Sequence, residues 1–420
     1  SKGIHDTLSF RYAPVLRYDD LLYTTDVDHY LTLRGERFLT KNWSITIGDL
    51  YVLSSDPTRY GTPFTSAGMA GDDATEVQAE PAPDEITQNL GRRRYWTNDL
   101  LLETTYTYAK NSDVGFGYTY RVLRNESDDD QLVADYDEYD RHGFDGRWSC
   151  MFNPSWTSNL ELQYIKGLYE DRDADDQLGG DTADGSDLSQ DLEEYWADIG
   201  LDYIRSVKDT FPLMYRYRGT QYEDFRPDMH VHEVTAGWEH SFDRQNHLII
   251  GAGPSYVDSE GLDGEWGYNA YMSLTKIYQH GNVAALINKR YDPRNFTGSD
   301  DTGLTDITDV RIDATYQFTR DFSSSIFGLY RYEDIIDPQG DYYLASLGDR
   351  DPLDEQNVDD VTYTRESFSA GASLEYTFLR WFVASLRYTY FVQDGDLVRD
   401  SYDDHRITFR ISAGKELWRK

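Results

Sequence analysis

From Phe368 to Phe391 the chain reads FSAGASLEYTFLRWFVASLRYTYF, with apolar and polar positions alternating one by one. Phe368, Ala370, Ala372, Leu374, Tyr376 and Phe378 fall on one parity; Ser369, Gly371, Ser373, Glu375 and Thr377 fall on the other. After Leu379-Arg380-Trp381 the alternation resumes, setting Phe382, Ala384, Leu386, Tyr388 and Tyr390 against Ser385, Arg387 and Thr389. A period of two puts successive side chains on opposite faces of a strand, so the stretch predicts an antiparallel hairpin with one apolar and one polar face.

The same pattern runs the length of the chain. Leu8, Phe10 and Tyr12 alternate with Ser9 and Arg11; Leu31 and Leu33 with Thr32, Arg34 and Glu36. Leu100 to Tyr108 sets leucine, threonine and tyrosine against Asp99, Glu103 and Thr107. Tyr195, Ala197, Ile199 and Leu201 oppose Asp198 and Asp202; Phe211, Leu213, Tyr215 and Tyr217 oppose Arg216 and Arg218. Val310 to Phe318 and Ile407 to Ala413 close the series. About eighteen such segments of about 10 to 14 residues each match membrane-crossing strands in period and length. Their connections alternate in kind. Short turns, such as Asn111-Ser112-Asp113, Asn153-Pro154-Ser155 and Gln279-His280-Gly281, take turns with long stretches at 55–92, 125–140, 169–191 and 335–363. Tight turns at one rim and long loops at the other predict an all-β fold: a single transmembrane antiparallel up-and-down β-barrel of about 18 strands. Its turns are periplasmic, its long acidic loops extracellular, and residues 1–420 form one domain.

That fold decides which face points inward. The apolar parity meets lipid and the polar parity lines a lumen. Composition agrees: hydrophobic residues are only 39 % of the chain, yet aromatic residues are 15 %, with 35 Tyr, 18 Phe and 9 Trp. A thin outward layer needs less apolar material than a thick core, and a disordered acidic chain would be poor in aromatics. Trp43, Trp96, Tyr108, Trp148, Trp156, Tyr203, Trp238, Phe318, Phe378 and Tyr390 fall on the apolar parity near strand ends, where aromatic rings suit the headgroup level. Cys150 is the one cysteine, which excludes an intrachain disulfide. No apolar run is long enough for a transmembrane helix. The opening Ser1–Asp6 lacks a signal peptide, as expected of a processed chain.

The net charge of −36 resides mostly in the long loops, at 125–130, 135–140, 170–176 and 348–355. Such runs solvate loops; Ca²⁺ at the acidic extracellular loops is the one cofactor they suggest, because oxygen clusters suit it. The lumen reads differently. Its polar parity carries Arg11, Arg17, Arg34, Arg121, Arg147, Arg216, Arg218, Arg311, Arg387, Arg406 and Arg410, with fewer acids, among them Glu36, Glu103, Asp198, Asp202 and Glu375. Arg387, Arg406, Arg410, Arg11, Arg17 and Arg34 belong to the last two and first two strands, so barrel closure makes them one basic wall. These residues either pair with acids across strands or contact a polar or anionic solute. Enzyme signals are poor, and the chain reads as a non-enzyme. His230-Val231-His232 lacks a third ligand for zinc, and His142 and Ser149 fall on opposite faces. The acidic surface disfavours nucleic acid.

The whole chain resembles Gram-negative outer-membrane β-barrel channels. SFRYAPVLRYDD near the start, the Tyr-x-Tyr pairs (Tyr106/Tyr108, Tyr118/Tyr120, Tyr215/Tyr217, Tyr388/Tyr390) and the closing RITFRISAGKELW look like the β-barrel porins of the second type. The resemblance implies a porin-like channel of the outer membrane linked to exopolysaccharide secretion, expected to export an anionic polysaccharide. A general diffusion porin, or a sheath around a periplasmic partner such as an electron-transfer cytochrome, are the alternatives. Lipid and lipopolysaccharide are the expected surroundings, and periplasmic export or electron-transfer components the expected partners. Trp418 is displaced from the chain end, where many such barrels place an aromatic.

Overall fold

The computed structural model describes residues 6–19, 24–54, 94–126, 138–169, 191–223, 228–259, 264–293, 295–296, 304–336, 362–378, 382–395 and 401–419, with backbone alone at 17–19, 24–26, 362–363, 402 and 414–419. The strands are β1 (Thr7–Asp19), β2 (Thr24–Thr40), β3 (Trp43–Ser54), β4 (Tyr95–Ala109), β5 (Ser112–Asn125) and β6 (Tyr139–Asn153). Next come β7 (Trp156–Tyr169), β8 (Leu192–Ile204), β9 (Asp209–Tyr222), β10 (Met229–Ser241), β11 (Asn246–Ser259) and β12 (Glu265–Tyr278). The last six are β13 (Gly281–Pro293), β14 (Leu304–Thr319), β15 (Phe322–Ile336), β16 (Thr362–Phe378), β17 (Phe382–Gly395) and β18 (Tyr402–Arg419). Each pairs antiparallel with its sequence neighbours, and β1 pairs with both β2 and β18, closing an 18-stranded sheet on itself. Closure removes the free edges that an open sheet would leave unpaired in lipid.

The hairpin turns follow from local chemistry. Lys110-Asn111 joins β4 to β5 with Asn111 at φ 55°, a left-handed conformation that asparagine tolerates better than most residues. Between β10 and β11 the Asp243 carboxylate accepts the backbone N–H groups of Gln245 and Asn246 at 2.7 and 2.9 Å. Those bonds, the one from Gln245 foremost, hold the Asp243 carboxyl below the usual carboxylate range. Asn153 similarly accepts from the Ser155 N–H at 2.9 Å.

The apolar parity faces out. Phe116 and Ile326 are exposed at 61 % and 59 %, and Leu102, Leu213, Phe368, Leu374, Leu386, Tyr388 and Ile407 share their face. Close to the short turns an aromatic girdle encircles the barrel, with Trp156 4.8 Å from Tyr203 and Phe378 5.4 Å from Phe382, centroid to centroid. The strands are longer than the sequence pattern suggested, running from 12 residues in β3 to 18 in β18. The reason is visible on the outer surface at the loop ends, where apolar side chains give way to ion pairs. Arg124 binds Asp140 at 2.8 Å, and Lys289 binds Asp306 at 2.5 Å. Hydrocarbon needs only about 9 to 11 residues per strand, so the polar remainder stands beyond it.

Just below that rim, hydrogen bonds join tyrosine and histidine diagonally across adjacent strands on the outer face. They are Tyr12–His29 and Tyr388–His405 at 2.8 Å, and Tyr118–His142, Tyr215–His232 and Tyr217–His230 at 2.9 Å. The histidine doublet therefore serves the wall, one tyrosine for each ring.

Candidate functional site

Parity and register together define the inner wall, which has two unlike sides. On the seam of β17, β18, β1 and β2, most inward arginines lie across from small or hydroxylated residues, the exceptions being Val15 beside Arg410 and Asp26 beside Arg17. Arg387 is level with Ser373 and Thr408, and Arg410 with Ser385 and Val15. Arg406 is opposite Thr389. Arg11 stands between Thr32 and Gly414, and Arg34 between Ser9 and Gly48. Arg34, Arg387, Arg406 and Arg410 each make contacts of their own within the protein. Arg11, exposed, donates to the Ser412 hydroxyl at 3.2 Å, and Arg410 lies 5.8 Å from the centre of the Tyr30 ring. The backbone of Arg17 pairs with Thr408 and Asp26, and its side chain lies outside the described residues.

Across the barrel the arginines face carboxylates. Arg216 is level with Asp198 on one side and Glu233 on the other, at 3.5 and 3.4 Å. Arg218 grips Asp198 with two bonds of 2.6 and 3.0 Å, its guanidinium 4.4 Å from the centre of the Trp196 ring. Arg121 pairs with Asp99 and Arg147 with Glu103, and Arg147 also donates to the Thr105 hydroxyl at 2.7 Å. Farther round, Arg311 binds Asp313 at 2.7 Å. Arg290 and Arg331 meet at Asp309 (3.0 and 2.7 Å), and Arg365 binds Glu333 at 2.7 Å. The Arg331, Glu333 and Arg365 side chains are at most 5 % exposed, so this ladder is a buried ionic network.

These positions correct one expectation. Asp28, Glu194, Asp309, Glu333 and Asp404 also carry the inward parity, so among the described residues the lumen is not richer in arginine than in carboxylate. The basic excess is local to the seam, where Asp404 takes Arg406 at 2.8 Å near the loop end. Of the remaining acids, Glu36 is level with Thr7 and Thr46, Glu375 with Ser323 and Ser385, and Asp202 with Thr157 and Pro212. The acidic runs at 127–137, 170–190 and 337–361, and the calcium expected of them, lie outside the described residues.

One feature of the lumen has no counterpart in the alternating pattern. Asn295 and Phe296, in the connection between β13 and β14, reach across the interior at its loop end to β6, β7, β8 and β9. Asn295 is 1 % exposed; its amide donates to Glu194 at 2.7 Å and to Thr220 at 3.3 Å, and its side-chain oxygen accepts from the Tyr222 hydroxyl at 2.7 Å. The Tyr169 hydroxyl donates to the Asn295 carbonyl. Phe296 lies nearly parallel to Tyr169 (12°), edge-on to Tyr139 (62°), and 4.8 Å from the Arg141 guanidinium. Around this contact Leu192, Tyr222, Met229, Val231, Val257 and Leu304 form a buried apolar cluster inside the barrel mouth.

Comparison with known proteins adds the architecture. No family model matches the chain, and no curated protein matches its sequence. Among solved structures, the FrpB iron transporter of Neisseria meningitidis superposes with a TM-score of 0.52 at 8 % identity, over 97 % of this chain and 81 % of that one. The siderophore receptor PirA of Acinetobacter baumannii gives 0.52 at 7 % identity, over 99 % and 81 %. A mutant ferric enterobactin receptor of Pseudomonas aeruginosa gives 0.51 at 9 % identity, over 97 % and 80 %. The chain folds as an outer-membrane β-barrel. At such identities the likeness is one of fold, so function has to be argued from the wall itself.

Proposed function

We propose that this barrel is an outer-membrane channel for polar, anionic solutes, and that its cargo is an acidic exopolysaccharide leaving the cell. The observation that carries this reading is the seam, where arginines from four consecutive strands line one side of the lumen among serine, threonine and glycine. Guanidinium groups bind carboxylates through a planar fork of donors, and a row of them offers successive holds along an acidic polymer. The acid-paired opposite wall supplies rigidity rather than attraction. An 18-stranded barrel is wide enough for an aqueous path. Export also calls for periplasmic components that deliver the polymer, with lipid and lipopolysaccharide surrounding the barrel. A sheath around a cytochrome is disfavoured because Asn295 and Phe296 already occupy part of the lumen. Planar-bilayer recording tests the channel: anion preference is expected, falling stepwise in Arg11→Gln, Arg387→Gln and Arg410→Gln. Cation preference in the native chain, or haem absorbance co-purifying with a non-conducting barrel, would overturn it.

A further inference from the structure

The lumenal contact made by Asn295 and Phe296 is built like a ligand site. Its seat combines two tyrosine faces (Tyr139, Tyr169), a guanidinium (Arg141), a buried carboxylate (Glu194) and two hydroxyls (Thr220, Tyr222). Flat faces beside fixed donors and acceptors are what a sugar ring takes: its C–H face covers an aromatic ring while its hydroxyls both donate and accept. The present occupant satisfies the same groups. The Phe296 ring lies nearly parallel to Tyr169, and the Asn295 amide donates to Glu194 while its oxygen accepts from Tyr222. Glu194 is only 1 % exposed, and leaving such a carboxylate unsatisfied is costly, so whatever displaces Asn295 must bring a donor. A sugar hydroxyl does.

The seat is also shaped for its occupant. Gly167 on β7 lies under Phe296, and a Cβ there would come within 2.7 and 2.9 Å of the ring. Any side chain at 167 would push the phenylalanine out.

We propose that Asn295–Phe296 is a self-ligand held in a subsite for one sugar residue of the passing polymer, at the loop end of the lumen. The proposal rests on the polysaccharide reading above. Displacing the pair both frees the subsite and widens the path, so the barrel stays narrowed until a chain arrives to compete for the seat. Binding to the native chain is weakened by the fraction of time the seat is self-occupied, and removing the occupant lifts that penalty.

The test uses the full chain in nanodiscs, titrated calorimetrically with an acidic hexuronate oligomer and a neutral glucose oligomer, alongside single-channel recording. Phe296→Ala, which empties the seat, is expected to tighten oligosaccharide binding about tenfold, whereas Gly167→Ala, whose Cβ intrudes where the ring lies, should expel the ring without tightening binding. Adding Glu194→Gln to Phe296→Ala is expected to undo most of that gain. Higher conductance in Phe296→Ala without tighter binding of either oligomer would overturn the subsite and leave the pair a mere strut, with the channel reading intact. Absence of conductance in every variant would overturn the channel reading instead, and the titrations would still decide the subsite.

Discussion

The two sides of the lumen use the same residue type to opposite ends. On the β8–β10 side Arg216 stands level with Asp198 and Glu233, and on β14–β16 the ladder from Asp309 through Arg331 and Glu333 to Arg365 is buried. On the seam Arg387 stands level with Ser373 and Thr408, and Arg410 with Ser385. An arginine flanked on both sides by carboxylates has its fork fixed by them; Arg387 and Arg410 have no carboxylate level with them on the adjacent strands, although each makes contacts of its own within the protein. What an arginine does in this barrel is therefore set by its cross-strand register.

The contrast is broken most forcefully at Glu333. Glu333→Ala strips the buried Arg365 of a carboxylate 2.7 Å away and should cost about 3–5 kcal/mol, because a buried charge loses its compensation. Urea unfolding of the barrel from lipid vesicles measures it, and a loss below about 1 kcal/mol would mean the network is wetter than its burial implies. A slightly smaller effect separates lumen from lipid at two adjacent residues. Leu374→Arg should cost about 2–4 kcal/mol on the hydrocarbon side. Glu375→Arg, one residue on, points into the lumen and should leave unfolding nearly unchanged.

The walls were legible in the sequence because period-two alternation fixes which residues share a face, and turn lengths fix the strand order. Closure of β1 on β18 then follows, and with it the seam. What escaped is instructive. Glu194, Asp309 and Asp404 each sit just on the loop side of a recognisable alternation, ahead of Tyr195, Val310 and Arg406. There both faces of the strand are polar, as in Glu193–Glu194, so parity carries no signal. Asn295 and Phe296 escaped for a different reason. Their partners, Tyr139, Tyr169, Glu194 and Tyr222, come from four other strands, and no local pattern announces a contact 73 to 157 residues away in the chain.

Exchanging the two walls' chemistry sharpens the contrast at smaller cost. Ser385→Asp places a carboxylate level with Arg410 and adds a negative charge to the seam. Asp198→Asn does the reverse, loosening Arg216 and Arg218 toward the lumen. A unit charge roughly 8 Å from a permeating ion in water-like surroundings is worth roughly 0.5 kcal/mol, of opposite sign for anion and cation, so about fivefold in the anion-to-cation permeability ratio. The ratio should fall in the first variant and rise in the second, read from reversal potentials in a salt gradient. A rise in the first variant or a fall in the second would show that these two walls do not set the selectivity.

The smallest energetic effect belongs to Arg11, and it separates stability from function most cleanly. Its side chain is exposed and donates to the Ser412 hydroxyl at 3.2 Å. Such a contact trades one solvated guanidinium for another, so Arg11→Gln should change unfolding free energy by less than about 1 kcal/mol. Its field nevertheless acts on every ion that passes the seam, and the anion preference should drop in the same variant. The drop should itself shrink at high salt, since screening shortens the reach of an exposed charge to about 3 Å at 1 M. A variant that loses stability by several kcal/mol with selectivity untouched would place Arg11 among the structural arginines and move the edge of the basic seam to β18.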